Sequence, residues 1–355
     1  MNHFEILQNT IRAITPVDVD ARANARARLD RLTMPHWALG QVLDLAEQLS
    51  ALSGQMPPPV ARRTIVVMAG DHGVAEEGVS LYPQEVTGQM VANFVGGGAG
   101  INAIAKVGNA KLLIVDMGVK ADLSSMTANG SVLDRKIALG TANMAKGPAM
   151  SKEQALSAIV AGIRIAQNLA AGNDLIAAGE MGIGNTTSAT AVLCAIKGVD
   201  PLDATGCGTG IDEDARKLKA HVVRKSLALN MPVATDALDV LCKVGGFEIA
   251  GIVGLYLGVC AAKKAVVVDG YICAAAAMLA QLFCPQVTSY MVAAHRSVER
   301  GHSIMLEHLG LKPLLQLDFR LGEGTGAAMS MPIFDAARAM LTDVATFAEA
   351  GVSDK

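Results

Sequence analysis

The stretch Asp174–Ile196, DLIAAGEMGIGNTTSATAVLCAI, carries the signature of the fold. It opens on an apolar run of strand length, Leu175 to Ala178, and continues through Gly179, Glu180, Gly182 and Gly184. Asn185, Thr186, Thr187 and Ser188 follow, all residue types that cap helix N-termini. An Ala/Val/Leu segment completes the pattern. Strand, glycine turn, polar cap and helix together place backbone N–H groups and a helix N-terminus around an anion. Glycine lets the backbone approach a phosphate with no Cβ in the way. An ordinary βα turn, with glycine serving only the geometry, satisfies the same pattern.

On both sides of this stretch, strands alternate with helices. Thr64–Ala69, TIVVMA, is a β-branched run of the kind that parallel sheets bury. It ends in Gly70-Asp71-His72-Gly73, and polar residues at the carboxyl end of a buried strand lie where open α/β sheets bind ligands. Structural turn roles for Asp71 and His72 fit equally well. Lys111–Asp116 and Ala265–Asp269 read as further strands, and Val287–Ala293 and Leu314–Phe319 as two more. Pro83–Phe94 reads as a helix. Another starts at Ser151, where Gln154 completes a capping box, and runs to a stop at Gly172. Residues 272–284 form an Ala-rich buried helix, and the chain closes on a helix near whose start Pro332 can begin a separate segment. Residues 1–53 are helical, interrupted at Met34-Pro35-His36-Trp37, and Gly54–Pro59 is a linker. The alternation predicts a doubly wound α/β fold on a parallel sheet.

Composition narrows the function. Of 355 residues, 51% are hydrophobic and 3% aromatic, so a large core is built from Ala, Val, Ile, Leu and Met. A net charge of −3 without a basic stripe argues against a nucleic-acid partner. The apolar stretch Ile249–Ala262 is shorter than the ~20 residues of a spanning helix, so no membrane partner is expected. The first residues, MNHFEILQNT, lack a signal-peptide pattern. The six cysteines contain no CxxC pair, which points to free thiols in the cytoplasm and away from a metal site.

The chemistry rests on two carboxylates. Glu323 stands between glycines in RLGEGTG, and Glu180 has an equivalent setting in GEMG. Burial raises a carboxyl pKa toward a useful general-base value. Capping a helix N-terminus accounts for either residue as well. Gly206-Cys207-Gly208-Thr209-Gly210 is a second glycine loop, and Lys219 on the helix after it is a candidate phosphate ligand. No Walker loop, serine triad or GxGxxG fingerprint is present. The residues describe a metal-independent enzyme that holds a phosphorylated small molecule, with Glu323 or Glu180 as base.

Five segments, AGDHGVAEEGV, KGPAMS, GEMGIGNTT, DVLCKVGGFEIAGIVG and RLGEGTGAAMSMPI, closely resemble the bacterial nicotinate-nucleotide:dimethylbenzimidazole phosphoribosyltransferases along nearly the whole chain. The resemblance implies a Rossmann-like domain at 59–331 and a small helical domain from 1–58 and about 332–355. It implies transfer of phosphoribose from nicotinate mononucleotide to the lower-ligand base of a cobamide, without a cofactor. Nicotinate leaves from a pyridinium, so no pyrophosphate has to depart and no metal is demanded. Glu323 matches the family's catalytic glutamate. Gly182, Gly184, Asn185, Thr186, Gly206, Gly208 and Lys219 are expected to hold the nucleotide phosphate.

Two segments depart from the family pattern. MPHWALGQVL stands where KPPGSLGxLE is usual, putting Trp37 at a glycine and Leu43 at a glutamate. LYPQEVTGQM places Tyr82 at a serine and Met90 at a glutamine of the base pocket, and Met181 replaces a leucine. These changes resemble the family's phenol-activating members, which pair as two related chains. The expectation is therefore a phenol or p-cresol substrate, contacted by Tyr82, Met90 and Met181, and a heterodimer. The alternatives are a dimethylbenzimidazole-specific homodimer and a non-catalytic scaffold subunit.

Overall fold

The computed structural model describes residues 1–206 and 212–353. In chain order its first elements are α1 (His3–Ala13), α2 (Val19–Leu29), α3 (Gln41–Ser53), β1 (Arg63–Gly70), α4 (Val86–Gly96), α5 (Gly100–Val107), β2 (Lys111–Gly118), α6 (Ser124–Ala128) and β3 (Leu133–Asp134). The middle of the chain forms α7 (Lys152–Ala170), β4 (Leu175–Met181), α8 (Asn185–Lys197), α9 (Pro201–Ala204), α10 (Glu213–Asn230), α11 (Ala237–Val244) and α12 (Phe247–Ala261). It closes with β5 (Ala265–Val268), α13 (Tyr271–Phe283), β6 (Met291–Ala293), α14 (Arg300–Leu309), α15 (Thr325–Thr342) and α16 (Phe347–Ala350).

The strands form one parallel sheet in the order β3-β2-β1-β4-β5-β6. Central β1 is buried along its length and pairs Val66 with Leu113 of β2 and Ala178 of β4. The chain winds outward from β1 to β3, then returns to the centre and winds the other way from β4 to β6. The carboxyl ends of β1 and β4, at Gly70 and Met181, therefore diverge at the topological switch point, where such sheets bind ligands.

Helix α12 is buried from end to end and packs on α7, α13 and the sheet. Glycines allow this close approach: a Cβ on Gly162 would strike the Gly251 carbonyl, and one on Gly254 would strike that of Ile159. The N-terminal helices are split between two surfaces, α1 against α7 and α2 with α3 against α15. The described cysteines are all free. Among the described residues no helix is long and apolar enough to cross a membrane.

Several expectations need correction. Only Met291–Ala293 of the run from Val287 is strand; Pro285–Tyr290 is a 3-10 turn, because Tyr290 turns inward to donate its hydroxyl to the Thr15 carbonyl at 2.9 Å. Leu314–Phe319 is not a named strand: it forms one isolated bridge, His295 with Leu315, and runs beside the end of β6, where the Leu314 and Leu315 N–H groups donate to the Ala293 and Ala294 carbonyls at 3.0 Å. Gln316, Leu317 and Asp318 are exposed, and Leu314 is the residue of the run that packs against the core. Pro332 does not start a segment: α15 runs unbroken through it. Trp37, at φ 55°, donates Nε1–H to Asp44 Oδ1 at 2.8 Å, and the Arg26 guanidinium lies 3.9 Å from its ring centre. Its contacts are thus satisfied within its own chain.

Candidate active site

A cleft opens at the carboxyl ends of β4, β5 and β6, bordered by Val79, Ser80 and Tyr82 from the segment that follows β1. Glu180, Gly182, Gly184, Asn185, Thr186 and Lys219 line it together, as do Asp269, His295 and Arg320. At one end the turn after β4 feeds directly into α8. Gly184 is the N-cap at φ 94°, a left-handed conformation that favours glycine. A Cβ on Gly182 would run into the Gly70 carbonyl, and one on Gly184 would lie 3.3 Å from His72 Cβ. The turn is thus pressed flat on the end of β1, and Ile183 N–H donates to Thr87 Oγ1 at 3.1 Å to hold it there.

Lys219 reaches the same corner from α10. It is 2% exposed, and its Nζ donates to Thr186 Oγ1 at 2.6 Å. A helix N-terminus and a buried ammonium converge here, which is the chemistry of an anion site. Gly206 is buried outside the cleft lining, against Glu299, whose carboxylate would meet any Cβ on it. Gly208 lies outside the described residues.

The acidic side chains lining the cleft among the described residues are Glu180, Asp269 and Glu299; Glu323 itself is not in the lining, although its neighbours Leu321 and Gly322 are. Glu323 takes φ 62° between Gly322 at 81° and Gly324 at 88°, three successive left-handed residues. It is 5% exposed, and its Oε2 accepts the Ile101 N–H at 3.2 Å, at the start of α5. Burial raises its carboxyl above the ordinary glutamate value; the Ile101 N–H works against that shift and the nearby Asp269 adds to it. Glu180 is buried too and accepts a hydrogen bond from Asn185 Nδ2. Burial, followed by the charges of Asp269 and Glu248, pushes it up to about 8. Gly322 packs on Glu180, so the two carboxylate loops touch.

Asp269, at the end of β5, accepts the Ala327 N–H at 2.8 Å, and burial raises its pKa. His295 Nε2 stands 4.0 Å from its Oδ1. Against these carboxylates, the cationic Lys and Arg side chains lining the cleft among the described residues are Lys219 and Arg320. Carboxyl groups and a cationic corner thus share one cleft.

The expected base contacts divide. Tyr82 lines the cleft mouth but is 50% exposed, and Met181 lines the wall. Met90, on α4, packs against the hydrophobic core and is not part of the cleft lining. Ser80, which sequence reasoning passed over, does line it, so a hydroxyl stands beside Tyr82. Two further groups went unread. Asp269 was visible only as the last residue of a strand. Glu248 had a signal of its own, as the acid that opens an apolar run.

A phosphoribosyltransferase family profile matches residues 14–352. The chain is 55% identical over 350 residues to a nicotinate-nucleotide–dimethylbenzimidazole phosphoribosyltransferase of Syntrophotalea carbinolica, covering 99% of each chain. It is 50% identical over 352 residues to the enzyme of that name from Desulfotalea psychrophila, again covering 99% of each. Among solved structures it resembles CobT from Thermus thermophilus, with a TM-score of 0.90 and 44% identity, over 95% of this chain and 100% of that one.

Proposed function

The chain belongs to the nicotinate-nucleotide–dimethylbenzimidazole phosphoribosyltransferase family, and from that premise we propose that it transfers phosphoribose from nicotinate mononucleotide to dimethylbenzimidazole. The observation that carries the reading is the meeting of two elements at one cleft. One is the α8 N-terminus with Lys219; the other is the acids Glu180 and Asp269, beside Leu321 and Gly322 of the loop that carries Glu323.

In this reading the nucleotide phosphate sits at Gly182–Thr186 and Lys219. One ring nitrogen of the benzimidazole attacks the anomeric carbon. The bond from that carbon to the nicotinate nitrogen breaks, its electron pair neutralises the pyridinium, and the configuration inverts to α. The proton on the other benzimidazole nitrogen passes to Glu323, which must be ionised to accept it. Glu180, with its pKa raised to about 8, is mostly protonated at neutral pH and so serves as a hydrogen-bond donor beside it.

The relatives carry dimethylbenzimidazole in their names, which supports this base over the phenol and p-cresol expected from Tyr82 and Met90. Neither the phenolic substrate nor the paired sister chain finds support in them. The test is product analysis after incubating the chain with nicotinate mononucleotide and an equal mixture of dimethylbenzimidazole, phenol and p-cresol. The expected product is the N-linked α-ribotide of dimethylbenzimidazole. An O-linked phenolic product in its place would restore the phenolic reading.

A further inference from the structure

We propose that Asp269 is the positioning residue that holds Glu323 in its working conformation, an inference that rests on Glu323 being the base. Glu323 cannot hold its place unaided. It has φ 62° between two glycines that are also left-handed, a conformation that a non-glycine residue keeps only when its surroundings over-determine it. The helix that follows, α15, begins at Thr325 with Gly324 as N-cap and has no side-chain cap of its own. Its first N–H groups therefore need an acceptor from elsewhere.

Asp269 supplies it from another strand. Its side chain is 1% exposed, and Oδ1 accepts the Ala327 N–H at 2.8 Å. The backbone N–H groups of Gly324 and Gly326 also stabilise its charge. One buried carboxylate thus caps α15 and fixes the residue next to Glu323. The loop has two further anchors. Gly179 presses on the Glu323 carbonyl, where a Cβ would clash, and Ile101 N–H holds Oε2. These fix the underside of the loop and the tip of the side chain; Asp269 fixes the helix end. Around Asp269 stand His295 from the end of β6, Cys273 from α13, Tyr256 from α12, Glu180 from β4 and Glu323 itself.

The test compares Asp269→Ala, Asp269→Asn, Glu323→Gln and the double variant Asp269→Asn/Glu323→Gln. With Asp269→Ala, kcat is expected to fall by about 100-fold, the cost of misplacing a reacting group by about 1 Å. KM for nicotinate mononucleotide should change by less than about threefold, because the lost interaction serves the transition state. Asp269→Asn keeps one acceptor for the Ala327 N–H but no charge, so it should recover about tenfold of that loss, in line with the weaker neutral hydrogen bond. Its kcat should fall off at a lower pH on the acid side than wild type, because a negative neighbour that raises the Glu323 pKa is gone.

The decisive result is the cycle. If Asp269 acts through Glu323, adding Asp269→Asn to Glu323→Gln costs little more, since the two act as a unit. An additive loss, an unmoved acid limb, or a rise in KM alone would overturn the assignment. So would a loss of activity that only follows the folded fraction seen in thermal melts. Failure of the underlying reading is separate: full turnover by Glu323→Gln removes Glu323 as base, whatever the Asp269 variants do.

Discussion

His72 Nε2 and Glu248 Oε1 meet at 2.6 Å, with both side chains sealed from solvent. The pair links the end of β1 to the first turn of α12, and the His72 ring lies directly under Gly182 and Gly184. It is thus a buried support for the turn that starts α8. Glu248→Ala leaves a buried imidazole nitrogen unpaired, which costs about 1–3 kcal/mol. The expected outcome is a lower denaturation midpoint and weaker nucleotide binding. Glu248→Gln, which can still accept from Nε2–H, should lose much less. Equal stability for all three proteins in a denaturant titration would remove the pair as a support.

Glu323→Gln removes the proton acceptor and nothing that holds the nucleotide. Turnover is expected to fall by about 100- to 10,000-fold, the usual worth of a general base. Nucleotide affinity by calorimetry should stay within about threefold of wild type, since this loss is confined to the transition state. In wild type, burial raises the Glu323 carboxyl, so kcat/KM should decline on the acid side at a pH above the ordinary glutamate value.

Lys219→Ala tests the cationic corner. A charge-assisted hydrogen bond is worth about 1.5–3 kcal/mol, so nucleotide affinity should drop by about 10- to 150-fold. The affinity for dimethylbenzimidazole alone should hold. Unchanged nucleotide binding takes Lys219 out of the phosphate site.

Gly179→Ala puts a methyl group into the Glu323 carbonyl. Backbone on both sides cannot yield cheaply, and overpacking of this kind costs about 1–3 kcal/mol. Activity should fall further than stability, because the displaced atom belongs to the Glu323 loop. A variant with normal kcat would show that the loop tolerates the shift.

Glu180 should leave a signature in stability against pH. Its pKa is raised in the folded state to about 8, against an ordinary 4.5. Its contribution is therefore fully present below about pH 4.5 and is lost as pH rises toward 8, since the unfolded chain gives up the proton first. Glu180→Gln should flatten the decline in stability across that window. An unchanged slope in denaturant titrations from pH 5 to 8 would assign the decline to other groups.

Much of the fold was legible because it depends on local chemistry. Thr64–Ala69 and Leu175–Ala178 have the composition of buried strands, and the structure extends them to Gly70 and, through Gly179 and Glu180, to Met181. Ser151 and Gln154 cap α7 by a reciprocal pair that needs only their own spacing, and the structure shows both bonds. The glycine turn of GEMGIGNTT was readable for the same reason: a left-handed N-cap is a local demand, met by Gly184. Where a segment depended on distant partners, the local pattern misled. Leu314–Phe319 has strand composition, yet it pairs only briefly with the end of β6 and does not become a strand of the sheet.

The doubly wound sheet, the glycine turn and the two acids worth considering follow from the order of residues alone, because period, capping and turn chemistry are properties of near neighbours. What those acids can do follows from the folded arrangement. Burial and charge at Glu180 come from Asp269 and Glu248, residues 89 and 68 positions further along the chain (269 − 180 and 248 − 180). The cap on α15 comes from a strand end more than 50 residues earlier, at Asp269. Desolvation and long-range Coulomb terms depend on which distant groups the sheet order brings together. No window of sequence contains that distance.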